Sequence, residues 1–222
     1  MQDFLSITGM VMKVEPIGEY DRRIVILTKE RGKISAFAKG ARKPNSSLVA
    51  ATNPFSFGEF KLYVGKTSYN IIEANISNYF EELRRDFEGA YYGMYFLEIA
   101  DYYTRENNDE REMLRLLYQS FRALLLPSLS NDLIRYIYEI KAIVVNGEFP
   151  GMSTDKGYLD STAYAVDFIM NARIEHLYTF TVTEEVLSEL KEIATGYRTK
   201  LWDKKFKSLE IIEQVRYNNR HV

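Results

Sequence analysis

Apolar and polar side chains alternate along the first 80 residues in the manner of β-strands, with turn-forming residues between the alternating segments. Five segments have this pattern, at residues 4–14, 22–28, 33–39, 57–64 and 69–76. The run Ile24-Val25-Ile26-Leu27 is typical of a strand buried on both faces. Residues 17–21, 30–33 and 65–68 are predicted as turns, and residues 40–54 as a polar loop. Five short strands with such connections predict a small closed or partly closed β-barrel.

Residues at alternate strand positions share a face, so each strand predicts an inner and an outer set of side chains. The inner sets are Ile34, Ala36 and Ala38, then Phe60, Leu62 and Val64, then Ile72, Ala74 and Ile76. The outer sets are Lys33, Ser35, Phe37 and Lys39 in the third segment, and Glu59, Lys61 and Tyr63 in the fourth. The outer surface is therefore expected to combine cations with aromatic rings.

From about residue 78 the apolar residues recur every three or four positions, which is the spacing of one face of an α-helix. The stripes are Tyr92, Tyr95, Phe96, Ile99, Tyr102 and Tyr103, then Met113, Leu117, Phe121 and Leu124, then Leu133, Ile137, Ile140 and Val144, then Leu190, Ile193, Ala194, Tyr197 and Leu201. Thr183, before Glu184 and Glu185, is expected to cap the last of these helices. The sequence thus predicts an α+β protein, with a five-stranded barrel in residues 1–79 and an all-helical domain in residues 80–222.

Charge is distributed unevenly, although the net charge is only −2. Residues 1–80 contain 11 lysines and arginines against 7 acidic residues, whereas residues 81–222 contain 18 against 24. Six of the cations lie within fifteen residues, with Glu30 as the one acidic residue among them; they are Lys29, Arg31, Lys33, Lys39, Arg42 and Lys43. Such a patch on a nearly neutral protein indicates a polyanion partner on one face. The alternative is a solvated loop with no partner.

OB-type barrels bind nucleic acids with cations that track phosphates and aromatic rings that stack on bases, each stacked base contributing about 1–3 kcal/mol. The candidate DNA contacts on this basis are Arg22, Lys29, Arg31, Lys33, Phe37, Lys39, Arg42, Lys43, Lys61 and Tyr63. Phe37 and Tyr63 have an alternative role in packing against the helical domain. RNA would suit the same surface, and an acidic protein could be the partner of the cations instead.

Recognisable catalytic and metal-binding motifs are missing from the sequence. Gly65-Lys66-Thr67 and Gly32-Lys33 resemble the end of a phosphate-binding loop, but Phe60 and Leu27 replace the glycine required five residues earlier. There is no cysteine, and neither His176 nor His221 belongs to a ligand-spaced cluster. We expect no enzyme activity, no cofactor and no metal, with a site assembled from distant helical carboxylates as the alternative. The lack of cysteine, of a membrane span and of a secretory signal predicts a cytoplasmic location.

A longer pattern resembles a known family. Gly18-Glu19-Tyr20-Asp21-Arg22, Leu27-Thr28 and Gly32-Lys33-Ile34-Ser35-Ala36-Phe37-Ala38-Lys39-Gly40-Ala41-Arg42-Lys43-Pro44 are similar to the N-terminal signature of the RecO family. Leu48, Pro54-Phe55 and Phe60-Lys61-Leu62-Tyr63-Val64-Gly65 extend it, and Tyr138-Glu139-Ile140-Lys141 before Asn146-Gly147 fits the layout of the helical half. The resemblance is specific over residues 10–66 and diffuse afterwards.

The resemblance implies an N-terminal OB barrel that binds single- and double-stranded DNA and anneals complementary strands. It also implies a recombination mediator, associated with the nucleoid, that acts with RecR to let RecA replace the single-strand-binding protein (SSB) on DNA. RecO-like proteins dock the acidic, apolar C-terminal tail of SSB. The candidates for that site are Arg111, Arg115 and Arg122 on one helix stripe, with Arg135 nearby in sequence. A solvated stripe paired with acidic neighbours is the alternative.

One feature of the family is expected to be absent. Many RecO-like proteins carry a four-cysteine zinc module after the segment that matches residues 146–150 of this chain. This chain has no cysteine, and a short irregular segment, residues 146–160, is predicted in place of the module.

Overall fold

A computed structural model describes residues 3–152 and 156–219 of the chain. The chain divides into two compact units. The first unit contains the chain up to Glu81 together with Asp101–Leu114, and the second contains Glu82–Ala100 together with the chain from Arg115 onward. The first unit therefore includes a segment that follows the first long helical stretch in sequence.

The first unit is built around a closed β-barrel of five strands, as the alternation of the sequence predicts. The strands are β1 (Phe4–Ile17), β2 (Asp21–Thr28), β3 (Gly32–Ala38), β4 (Phe57–Val64) and β5 (Tyr69–Asn78). Their order around the barrel is β1-β2-β3-β5-β4, with β1 also paired to β4. Only the short β3–β5 pairing is parallel among the strand pairs of the described chain. A single helical turn, α1 (Leu48–Ala51), lies within the predicted polar loop.

The barrel interior is filled mainly by the inner sets predicted for the third and fourth segments, together with side chains of the apolar run in β2. Ile24, Ile26, Ile34, Phe60 and Leu62 are all at most 1% exposed. Burial of this apolar surface is the main contribution to the stability of the barrel.

The prediction of the inner face of β5 is wrong at Ile72. Ile72 is 53% exposed, whereas its neighbour Ile71 is 6% exposed and belongs to the barrel core. The β4–β5 register shifts between the pairs Lys61–Glu73 and Leu62–Ile71, which leaves Ile72 as an extra, unpaired residue. A bulge of this kind reverses the alternation on one side of it, so Ala74 and Ile76 pack against the core while Ile72 does not.

Helices follow the barrel, which confirms the predicted α+β class. They are α2 (Glu81–Arg85), α3 (Phe87–Tyr103), α4 (Arg111–Leu124), α5 (Asn131–Val145), α6 (Asp160–Asn171), α7 (Glu184–Leu201) and α8 (Lys207–Asn219), with a 3-10 turn at Ile174–His176. The side chain of Thr183 caps α7 by accepting a hydrogen bond from the Val186 amide, as predicted. Neither α6 nor α8 had been predicted, because their apolar stripes are short and broken by polar residues.

The second unit has a core rich in tyrosine and phenylalanine. Phe96 of α3 stacks on Tyr138 of α5 with ring centroids 4.1 Å apart, and the Tyr138 hydroxyl donates to the Phe96 carbonyl. Phe96 belongs to a predicted apolar stripe, whereas Tyr138 lies outside the stripe predicted for α5. Within residues 3–152 and 156–219, no helix is both long enough and apolar enough to span a membrane.

Candidate nucleic-acid interface

Three of the predicted DNA-contacting cations lie together at one end of the barrel. Two hydrogen bonds join the loop after β3 to the turn between β1 and β2 and to the first residue of β2. The Gly40 amide donates to the Asp21 side chain at Oδ1 over 2.7 Å, and the Arg42 amide donates to the Tyr20 carbonyl over 2.8 Å. These bonds hold the loop and the turn in one surface, which we call the barrel rim (residues 18–20 and 39–43).

The rim presents exposed cations beside an exposed aromatic ring. Lys39, Arg42 and Lys43 are exposed, and Tyr20 is 42% exposed. The Lys43 ammonium lies 5.6 Å from the centre of the Tyr20 ring. A hydrogen bond with the Glu19 carboxylate raises the pKa of Tyr20. The rim therefore combines the two side-chain types that contact single-stranded nucleic acids.

The outer face of the β2–β3 hairpin continues from the rim. Phe37 is half-buried on this face, and Arg23 is directly opposite it on β2. The Arg23 Nε donates to Ser35 Oγ at 2.8 Å, which fixes the guanidinium over β3. Arg23 is exposed and had not been predicted as a DNA contact. The unbroken apolar run after it hides which of Arg22 and Arg23 points outward, because a run buried on both faces shows no alternation.

Arg22 has the opposite orientation. Its guanidinium donates to the Val49 carbonyl and to Thr52 Oγ1, both at 2.7 Å, and to Asn53 Oδ1 at 3.2 Å. Burial, and secondly the charge of Arg42, lower the pKa of Arg22. Arg22 thus lies near the rim, but its donors are used to attach α1 and the residues after it to the barrel.

The cations at the opposite end of the hairpin have a different environment. Lys29 and Arg31 are exposed at the β2–β3 turn, about 20 Å along β3 from the rim at 3.3 Å per residue. Residues 105–107 add to this end, because the Lys33 amide donates to the Arg105 carbonyl and the Asn107 amide donates to the Arg31 carbonyl. The structure therefore does not gather the six clustered cations into one patch.

Asp101 neutralises the lysine that begins the outer face of β3. The Lys33 ammonium is 3.1 Å from Asp101 Oδ1, and the Lys13 ammonium is 2.6 Å from Asp101 Oδ2. Burial acts to raise the pKa of Asp101, but the hydrogen bonds and charges of the two lysines outweigh it and hold the pKa below its usual range. Lys33 is consequently paired before any ligand arrives.

Lys61 and Tyr63 lie on β4, which β5 separates from β3 in the barrel order. Tyr63 contacts Phe4 edge to face with ring centroids 6.2 Å apart, and the Lys61 ammonium lies 5.6 Å from the centre of the Phe4 ring. Two exposed carboxylates are close, because Glu73 is opposite Lys61 on β5 and Glu59 is on the same face of β4. This surface has the aromatic rings of a nucleic-acid site but not its positive charge.

The four arginines considered for the SSB tail do not form one cluster. Arg111, Arg115 and Arg122 are exposed along α4, and the first of them pairs with Asp109. Arg135 is buried on α5, where its Nε is 2.8 Å from Oε1 of the buried Glu139. It lines a groove of about 720 Å³ between α5, α7 and α8. The other cations of that groove are Lys191, Arg198 and Arg216.

Within the two described ranges, no group of three or more histidine, aspartate or glutamate side chains is placed to hold a metal ion. His176 is exposed in the 3-10 turn, and His221 lies outside the described residues. The Gly65–Ser68 and Thr28–Gly32 connections are hairpin turns, as predicted, rather than phosphate-binding loops.

The strand order, the helix between β3 and β4 and the placement of the rim define the class of protein. A five-stranded closed barrel of this kind is an OB-type barrel, a class that binds oligonucleotides and oligosaccharides on the face of strands 2 and 3 and on the loop between strands 1 and 2. Arg23, Phe37 and Tyr20 occupy those places.

Comparison with known proteins identifies the family. Residues 1–80 match the family model of the recombination protein O N-terminal region, and residues 84–157 match that of its C-terminal region. The DNA repair protein RecO of Acetivibrio thermocellus is 29% identical, with 95% of this chain and 97% of that protein aligned. The DNA repair protein RecO of Clostridium novyi is 27% identical, with 96% of each chain aligned. The chain belongs to the RecO family of DNA repair and recombination proteins.

Proposed function

We propose that this chain is a recombination mediator without catalytic activity, which binds single- and double-stranded DNA through the barrel rim and the outer face of the β2–β3 hairpin. It anneals complementary strands there and helps RecA to load onto SSB-coated DNA together with RecR. Such a protein acts in the cytoplasm, in association with the nucleoid. The observation that carries the proposal is the continuous surface made by Lys39, Arg42 and Lys43 at the rim and by Arg23 and Phe37 on the adjoining strands.

The surface suits the phosphodiester backbone for a physical reason. The rim cations lie within one loop, where their mutual repulsion is relieved by an anion that spans several of them. The rings of Phe37 and Tyr20 supply stacking partners for unpaired bases. Among the predicted cations, Arg22 is used for the fold and Lys33 is paired with Asp101, so the proposal assigns phosphate contacts to Arg23, Lys39, Arg42 and Lys43, with Lys29 and Arg31 as further contacts for a longer strand.

Lys61 and Tyr63 are left outside the proposed DNA surface. They lie on another face of the barrel, and the carboxylates of Glu59 and Glu73 beside them would repel phosphate groups.

Binding and annealing measurements on the purified chain test the proposal. Fluorescently labelled DNA and RNA strands of equal length and sequence are titrated at several salt concentrations, and annealing of complementary DNA strands is followed in parallel. We expect salt-dependent binding of DNA in the absence of any other protein, and faster annealing. Tighter binding of RNA than of DNA would replace the proposal with an RNA-binding module. Failure to bind either would leave an acidic protein as the partner of the rim.

The helical unit is proposed to dock the C-terminal tail of SSB in the groove between α5, α7 and α8. An acidic, apolar tail needs cations next to apolar surface, and this groove joins Arg135, Lys191 and Arg198 to Tyr136 and Leu187. In the groove, Arg135 and Arg198 both face Glu213 and Arg216 pairs with Asp132, so Lys191 is the groove cation without a carboxylate partner among the described residues. On the α4 stripe, Arg111 pairs with Asp109 and Arg122 Nη1 donates to Gln119 Oε1 at 3.4 Å.

Two charge reversals distinguish the groove from the α4 stripe. Lys191→Glu should weaken binding of an SSB-tail peptide by about tenfold or more, equivalent to about 1.4 kcal/mol, while Arg115→Glu should change it by less than about twofold. Fluorescence anisotropy of the labelled peptide gives both values. The reverse pattern would place the tail on α4.

A further inference from the structure

The junction between α7 and α8 carries a second concentration of positive charge, in the unit that does not contain the barrel. Four lysines lie within eight residues at this junction, with Asp203 as the one acidic residue among them. The lysines are Lys200, Lys204, Lys205 and Lys207, and all four are exposed. We call them the α7–α8 lysine patch. The chain as a whole has a net charge of −2, so this concentration is local.

The patch is held in place by a buried aromatic anchor. Trp202 and Phe206, on either side of Lys204 and Lys205, are 6% and 4% exposed. Their rings meet edge to face at 5.3 Å, and the Phe206 ring lies 5.5 Å from that of Tyr95. The start of α8 is fastened by Ser208, whose hydroxyl donates to Glu98 Oε1 at 2.8 Å. The backbone of the junction is thus anchored by buried side chains on either side of Lys204 and Lys205.

The charges of the patch are largely not compensated by the protein. Lys200, Lys205 and Lys207 make no ion pair with any carboxylate in the part of the chain that the structure describes. Lys204 lies with its ammonium 5.8 Å from the centre of the Phe206 ring. Lys200 is in the last turn of α7, where the helix dipole favours a cation but does not neutralise it. Several ammonium groups held close together attract a polyanion.

The chemistry of the patch favours a sugar–phosphate backbone over an acidic peptide. Lysine binds phosphate as a point charge and does not require a shaped pocket. A peptide would also need exposed apolar surface to bind specifically, and the two aromatic side chains of this junction, Trp202 and Phe206, are buried. We propose that the α7–α8 lysine patch binds the phosphate backbone of DNA independently of the barrel, so that one chain has two separate nucleic-acid contacts. The inference rests on the proposed function only in taking DNA as the polyanion.

Two double variants of the full chain test this inference. Lys205→Ala/Lys207→Ala removes two cations of the patch, and Lys156→Ala/Arg173→Ala removes two exposed cations elsewhere in the same unit. Affinity for duplex DNA is measured at several salt concentrations between about 50 and 300 mM, because the slope of log affinity against log salt counts the released counterions. Each phosphate contact contributes about 0.9 to the slope of log affinity against log salt. We expect the patch variant to lose about 1.8 from the magnitude of that slope and the control variant to lose nothing.

The same two patch substitutions in a Lys39→Ala/Arg42→Ala background separate the inference from the proposed function. If the barrel and the patch are independent, the patch substitutions lower the slope by the same amount in both backgrounds. If Lys39→Ala/Arg42→Ala keeps the slope of the unmodified chain while the patch variant has a smaller slope, the barrel site is rejected and the patch is supported. A slope unchanged by Lys205→Ala/Lys207→Ala would overturn the inference. If Lys205→Ala/Lys207→Ala keeps the original slope but no longer binds a decaglutamate peptide, the occupant of the patch is an acidic protein and the inference is likewise overturned. Lys200→Ala gives an independent check, with an expected loss of about 0.9.

Discussion

Arg135 and Glu139 form a buried ion pair within α5. The Arg135 Nε and the Tyr95 hydroxyl both donate to Glu139 Oε1, at 2.8 and 2.7 Å. Burial opposes the charge of Arg135, but the Glu139 carboxylate more than compensates and raises the pKa of the guanidinium. The pair is internal, and each partner depends on the other.

Arg135→Met should lower the free energy of unfolding by about 3–5 kcal/mol, because it leaves the Glu139 carboxylate buried without its cation. Adding Glu139→Gln to that variant should recover part of the loss, since a neutral amide costs less to bury than a carboxylate and can still accept from Tyr95. Denaturant unfolding followed by circular dichroism measures both values. An Arg135→Met variant as stable as the unmodified protein would show that water solvates Glu139.

Phe37 distinguishes stacking from packing in the proposed DNA surface. Phe37→Ala should weaken binding of single strands by about 1–3 kcal/mol and affect duplex much less, because the bases of a duplex already stack on one another. The salt dependence should not change, because stacking releases no counterions. Titrations of both DNA forms test this. An equal loss for single strands and duplex would assign Phe37 a packing role instead.

At the scale of elements, the turn between β2 and β3 is constrained by its own backbone conformation and by close contact with residues 105–108. Gly32 has a φ of +62°, and a Cβ at this position would overlap the carbonyl oxygen of Arg105. Gly18, in the turn between β1 and β2, also has a positive φ of +54°, but a Cβ there would meet no atom within 4 Å. The two glycines therefore separate the cost of the backbone conformation from the cost of close contact.

Gly18→Ala should destabilise the protein by about 1–2 kcal/mol, which is the cost of the left-handed conformation for a residue with a Cβ. Gly32→Ala should cost clearly more, because residues 105–108 must also move. Thermal or denaturant unfolding of the two variants gives the comparison. Equal losses would mean that residues 105–108 do not hold the hairpin as the hydrogen bonds of Lys33 and Asn107 indicate.

Strand elements could be predicted from the sequence wherever one face is buried, since alternation then marks each side chain. Three features depend on pairing between residues far apart in the sequence and could not be predicted. The bulge at Ile72 arises from the pairing of β4 with β5. The outward orientation of Arg23 follows from the β2–β3 register. The pairing of Lys33 with Asp101 joins residues 68 positions apart. The candidate DNA surface was therefore only partly predictable from the sequence.

For the whole molecule, the lack of cysteine leads to a chemical prediction. A structural zinc site of the four-thiolate type needs ligands that this chain does not contain. Elemental analysis of the purified protein should find no stoichiometric zinc, and treatment with a chelator should leave the unfolding midpoint unchanged. Zinc at one ion per chain that survives the chelator would require a site built from histidine and carboxylates.

For the whole molecule, the rim and the β2–β3 face form the proposed DNA-binding surface of the barrel, and the salt dependence of DNA binding by two variants tests this most directly. Lys39→Ala/Arg42→Ala removes two rim cations, whereas Lys61→Ala removes an exposed cation from the β4 face. In titrations of labelled DNA at several salt concentrations, the rim variant should lose about 1.8 from the slope for duplex and about 1.4 for single strands, on any sequence, while Lys61→Ala keeps the original slope. A rim variant with the original slope, or a loss confined to Lys61→Ala, would contradict the account.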